Sequence, residues 1–121
     1  MATTINHIVE QYYEAWRTGD ESKFLFAHGF TFDGPIASFS NPGDFIKMAK
    51  QVFPMVKNVK LLETFYTGNK ACVLLEFSTN TPVGSWIAID YFIVEDERIK
   101  YSRTVYDPRK LVEFMQSQRK G

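Results

Sequence analysis

The residue with the clearest capacity for chemistry is Asp90, because of its surroundings. It sits in the middle of Trp86-Ile87-Ala88-Ile89-Asp90-Tyr91-Phe92-Ile93-Val94, a run otherwise built of apolar and aromatic side chains. β-Branched and ring residues at this density read as a strand. Alternation puts Trp86, Ala88, Asp90, Phe92 and Val94 on one face and Ile87, Ile89, Tyr91 and Ile93 on the other. Both faces are apolar, so both need covering. A carboxylate buried there is costly when ionised unless it is paired, and otherwise holds its proton. Perturbed acids of this kind concentrate at functional sites. The bland alternative is a hydrogen-bonded core acid, with Tyr12 or Arg103 as its partner.

The remaining chemistry-bearing types are sparse. Cys72 is the only cysteine, so no disulfide framework or cysteine zinc site is expected, and it reads as a small buried residue. His7 and His28 are far apart without a carboxylate cluster at ligand spacing, so no metal is expected; His28 reads as a solvated loop residue. Asp107 before Pro108 reads as a strand-end turn. Lys plus Arg and Asp plus Glu number 14 each, which argues against a nucleic-acid binder, normally marked by a basic excess. The near-zero net charge also makes self-association easier. Met1-Ala2-Thr3-Thr4 has no basic or apolar character of a secretion signal. No apolar run nears the roughly 20 residues of a membrane span. A cytoplasmic protein without membrane contact is the expectation.

The elements that must position Asp90 follow from periodicity. Ile5, Ile8, Val9, Tyr12 and Trp16 form a helical stripe, with Thr3 or Thr4 as cap and Gly19 past the end. Asp20 is expected to cap a second helix from Glu21 to Phe26, anchored by Phe24 and Phe26. Phe30 to Asp33 alternates as a short strand and stops at Gly34-Pro35, followed by a loop, 36–40, plugged by Phe39. Asn41-Pro42 starts a helix carrying Phe45, Met48, Ala49, Val52 and Phe53 until Pro54. Strands are expected over 59–66, 71–79, 86–94 and 99–107, with turns at 67–70 and 95–97. A helix over 109–118 closes the chain. With 121 residues and no linker or repeat, residues 1–121 form one domain. The class is α+β: a curved, mixed or antiparallel sheet wrapped around helices, with an apolar pocket in its concave mouth. The apolar outer face of Ile87, Ile89 and Tyr91 suggests a homodimer.

Ile8-Val9-Glu10-Gln11-Tyr12 ahead of Gly19-Asp20, Phe32-Asp33-Gly34-Pro35, Ile89-Asp90-Tyr91-Phe92, and Arg98-Ile99 leading to Tyr106-Asp107-Pro108 occur in a telling order. Together they resemble the nuclear transport factor 2-like superfamily, in its ketosteroid isomerase and SnoaL-like polyketide cyclase branches, over nearly the whole chain. The fold hosts isomerases, hydrolases, dehydratases, cyclases and non-enzymes, so activity must be argued from the site. The isomerase resemblance implies Tyr12 and Asp90 as two neutral donors around one substrate oxygen; a carboxylic acid held protonated in that enzyme is a known pattern. It implies a base just before the turn proline, where this chain has Gly34. The nearest acid, Asp33, is one residue early, and a one-residue slip on a strand turns a side chain to the other face. As the nearest acid, Asp33 takes the role of base in this expectation. The limonene epoxide hydrolase branch would need an acid where Thr104 stands.

The resulting expectation is a cofactor-free pocket protein for a small apolar ligand, ring-bearing or carbonyl. Any reaction would be proton transfer next to a carbonyl, as in an isomerase, cyclase or dehydratase. The alternative is a non-catalytic binding or interaction module. Trp16, Phe32, Trp86 and Phe92 would line the pocket. Phe45, Met48 and Phe53 would add an apolar wall, and Ser102, Thr104 and Tyr106 would present hydroxyls from the last strand.

Overall fold

A computed structural model describes residues 4–120. Thr3, and the Met1-Ala2-Thr3 part of the leader reading, lie outside the described residues. Helix α1 (Ile5–Thr18) starts where the Thr4 side chain accepts from the His7 N–H. It ends where Gly19 takes φ +72°, a left-handed conformation that costs glycine nothing. Helix α2 (Pro42–Val52) is capped by Asn41, whose side chain accepts from the Asp44 N–H at 2.9 Å. Both caps match the sequence signals.

Six strands form, five of them in the expected order. They are β1 (Phe26–Asp33), β2 (Ser38–Phe39), β3 (Val56–Thr67), β4 (Lys70–Thr79), β5 (Ser85–Glu95) and β6 (Arg98–Val105). They form one curved open sheet ordered β2-β1-β6-β5-β4-β3. β1 runs parallel to β6 and every other neighbour is antiparallel, so the sheet is mixed. Helix α3 (Arg109–Lys120) ends the described chain.

Two elements differ from the sequence expectation. The second helix shrinks to one 3-10 turn, Glu21–Lys23, and Phe26 opens β1 instead. The cause is tertiary: the Ile99 N–H donates to Leu25 O at 2.7 Å, and Phe26 pairs with Ile99. A short helical segment cannot compete with a strand partner already in place. The loop over 36–40 contains β2, which folds back so that Phe39 pairs with Phe32.

The helices α1 and α2 cover the inner face of the sheet. Ile8, Val9, Tyr12, Tyr13 and Trp16 of α1 are buried against inward residues such as Val73, Leu75, Ala88 and Phe92. The outer face is different: Ile87 is 51% exposed, Ile89 43% and Val105 56%. Cys72, expected buried, is half-buried on this side, paired in register with Tyr91. Among the described residues no helix is long and apolar enough to cross a membrane.

Candidate functional site: a ring-lined cavity closed by Asp90

The curvature of the sheet leaves a cavity of about 380 Å³ between its inner face, α1, α2 and α3. This lies within the roughly 300–1,000 Å³ usual for small-molecule sites. A second depression, about 410 Å³, lies beside the start of α3. Half of its lining residues are exposed and charged, and of these Asp107 and Arg109 are already paired to each other.

Asp90 closes the cavity, 4% exposed. Two elements aim hydroxyls at it. Thr104 stands directly across the β5–β6 pair, and its Oγ1 donates to Asp90 Oδ1 at 2.6 Å. Tyr13 reaches from α1, its hydroxyl donating to Oδ2 at 2.6 Å. Burial pushes the Asp90 carboxyl up to about 6, while the hydrogen bonds from Thr104 and Tyr13 pull the other way. Burial, and then the Asp90 charge, hold the hydroxyls of Tyr12 and Tyr13 well above the ordinary tyrosine value. Tyr106 is raised for the same two reasons.

The partner of Asp90 on α1 is thus Tyr13, not Tyr12. Tyr12 lines the cavity, yet its ring is held by packing, edge-on to Phe92 at 4.9 Å and to Tyr13 at 5.1 Å. The missed residue had a signal: Val9 and Tyr13 are four apart, and a core-facing helical stripe is wide enough to include both. Arg103 is not the partner either, since it lies on the outer face.

Asp33 is there too. Its Oδ2 accepts from the Tyr101 hydroxyl at 2.8 Å and from Arg103 at 3.3 Å, and its Oδ1 accepts from Ser38 at 2.8 Å. The Tyr101 and Ser38 hydrogen bonds, with Arg103 nearby, hold its carboxyl below the ordinary value. Its neighbour Phe32 faces the cavity, so the alternation that separates the two residues is intact. The residue that does reach the wall is Gly34, where a Cβ would come within 2.9 Å of the Phe32 ring. Asp33 is not among the residues that line the cavity.

Of the expected wall, Trp16, Phe32, Phe45, Met48, Trp86, Thr104 and Tyr106 line the cavity. Phe53, Phe92 and Ser102 do not. Phe53 packs behind Trp16 at 5.5 Å, and Phe92 is fully buried under Tyr12. Ser102 is also fully buried, and its Oγ has no partner among the described residues. The concave mouth was expected, but not the residues that rim it. Pro35 and Ile36 form one lip, and Leu111, Phe114 and Met115 of α3 form another. Nothing local in the α3 sequence says where its apolar face lands. Among the described residues, no group of three or more His, Cys, Asp or Glu side chains is arranged to hold a metal ion.

Comparison with known proteins places this geometry. The family model described as Domain of unknown function (DUF4904) matches residues 1–119. Comparison with curated proteins gives no match. Among solved structures, an NTF2-like protein from Cytophaga hutchinsonii superposes with a TM-score of 0.81 at 19% identity, covering 93% of this chain and 97% of that one. A candidate polyketide cyclase from Sinorhizobium meliloti gives 0.73 at 20% identity, covering 81% and 93%. A ketosteroid isomerase-like fold from Catenulispora acidiphila, solved in complex with trimethylamine, gives 0.74 at 17% identity, covering 86% and 88%. Identities this low speak to fold and leave activity to the site. The chain belongs to the DUF4904 family, and its fold is that of the nuclear transport factor 2-like superfamily.

Proposed function

We propose that the protein binds a compact hydrophobic, ring-bearing compound in the cavity and holds its polar atom at Asp90. The observation that carries this reading is the carboxylate in a mostly apolar, ring-lined cavity, fixed by hydroxyls from two different elements. Rings supply contact area without orientation, and a single buried polar group supplies the orientation. In the catalytic form of this reading the reaction is proton transfer next to a carbonyl, with no cofactor. Asp90 is its acid–base group, since a carboxyl raised toward neutrality both accepts and returns a proton. This moves the role given to Asp33 in the sequence reading onto Asp90.

A non-catalytic binding module is the second reading, favoured by the position of Asp33. Acid–base isomerases pair a base with separate donors. Here the hydroxyls of Tyr13 and Thr104 are both engaged by the acid itself. Turnover of a 3-keto-Δ5 steroid, abolished in Asp90→Asn and kept in Asp33→Asn, supports the enzyme. Binding without turnover across a broad carbonyl panel supports the module. A compound co-purified with the protein and identified by mass spectrometry tests the shared core of both.

We also infer a homodimer formed through the outer sheet face. Ile87 and Ile89 project from it, and Val105 stands across from Ile89 in register. Apolar side chains this exposed and this close are commonly covered by a partner.

A further inference from the structure

The cavity is electrostatically one-sided. Apart from tyrosine hydroxyls, Asp90 is the single ionisable side chain among its lining residues, and no Lys, Arg or His reaches it among the described residues. The cations that pair with acids lie elsewhere, Arg103 with Asp33 and Arg109 with Asp107. Both Asp90 oxygens accept short bonds from hydroxyl donors, the arrangement a carboxylate wants. A carboxylate buried with hydrogen bonds and no counter-charge remains costly. The rings near Asp90 are those of Tyr12, Tyr13 and Tyr106, and ring faces attract cations. Trp86, four residues along the strand, stacks between Phe77, 5.2 Å away, and Tyr106, 5.6 Å away, and extends the ring-lined wall.

Resting on the reading of this cavity as a ligand site, we propose that its ligand is a lipophilic ammonium ion: a protonated or quaternary nitrogen on a compact apolar body, with the charge at Asp90. The nitrogen supplies the counter-charge that the protein withholds, and the body fills the ring-lined remainder. A carboxylate with two hydrogen bonds keeps lone pairs for an N–H donor. A neutral carbonyl fits less well, because the hydroxyls nearest Asp90 already donate to it. An anion is repelled.

The groups facing Asp90 are Tyr12 and Tyr13 from α1, Thr104 from β6, Tyr106 just beyond its end, and uncharged Val73 from β4. The tyrosines are raised and stay neutral, so Asp90 alone titrates as pH falls through the region of 6. Phenyltrimethylammonium and its neutral carbon isostere, tert-butylbenzene, separate charge from shape. Both are titrated against the full chain by tryptophan fluorescence, since Trp16 and Trp86 line the cavity. At about pH 8 the ammonium binds at least about tenfold tighter than the isostere. That advantage disappears in Asp90→Asn, and in the wild type below about pH 5, while isostere affinity stays unchanged. The wild-type pH series decides the matter by itself should the variant fail to fold. Isostere binding equal to or tighter than ammonium binding at about pH 8 overturns the ammonium inference and leaves the cavity reading intact. An advantage that survives both Asp90→Asn and acid overturns the assignment to Asp90. Binding of neither compound overturns the inference and the cavity reading together.

Discussion

Replacing Asp90 by asparagine separates the cost of burying this carboxylate from the value of its hydrogen bonds. Asparagine keeps the size and can still bond to Tyr13 and Thr104, but it carries no titratable proton. Burial raises the carboxyl from 3.8 to about 6 in the folded chain. The folded state therefore holds this proton more tightly than the unfolded state. Below the unfolded value both states are protonated and the contribution is fully present. As pH rises through the folded value it is lost. A difference of about 2 pKa units corresponds to about 3 kcal/mol over the whole window. Between about pH 4.5 and about pH 8 the loss is about 2 kcal/mol. The carboxyls of Asp20, Asp33 and Asp107 are lowered and act in the opposite direction, but they are common to both proteins and cancel. Urea unfolding of wild type and Asp90→Asn at the two pH values gives the answer. The variant should gain about 2 kcal/mol relative to wild type on going to high pH. A stability difference that is flat with pH, or that moves the other way, refutes the burial argument.

Three further expectations follow from the same geometry. Tyr13→Phe removes a hydroxyl that lowers the Asp90 carboxyl, so the Asp90 titration followed by carbon NMR should move to higher pH; a downward move contradicts the assigned bond. Ala88→Phe places a ring into the cavity from a wall position that is 3% exposed. It should abolish binding of both aromatic probes with cooperative unfolding retained at a cost of no more than about 3 kcal/mol; unchanged affinity would put the binding site elsewhere. Ile89→Lys places a charge on the exposed outer face, and light scattering should then report a monomer where the wild type gives a dimer. A monomeric wild type removes the dimer proposal.

Much of the architecture was legible in the chain because it rests on local signals. Thr4, Gly19, Asn41 and Pro42 marked helix ends through capping chemistry that needs no distant partner. Alternation in 86–94 correctly separated buried Ala88 and Asp90 from exposed Ile87 and Ile89, because strand side chains alternate whatever the sheet does. The same rule anticipated that Asp33 and Phe32 would part company. Where the reading failed, a distant partner decided. Phe26 left its expected helix for a parallel pairing with β6, and β2 exists only because Phe39 folds back onto Phe32.

The candidate site divides in the same way. An acid buried in an apolar strand, with aromatic side chains around it, was legible from the residues alone, since composition and period are local properties. Which groups meet that acid depends on how distant segments pack. The rotation of α1 over the sheet selects Tyr13 over Tyr12, and the β5–β6 register selects Thr104 over Arg103. The landing of α3 across the mouth makes Leu111, Phe114 and Met115 part of the wall. Helix rotation, strand register and docking position are set by packing between segments far apart in the chain, and no stretch of residues encodes them alone.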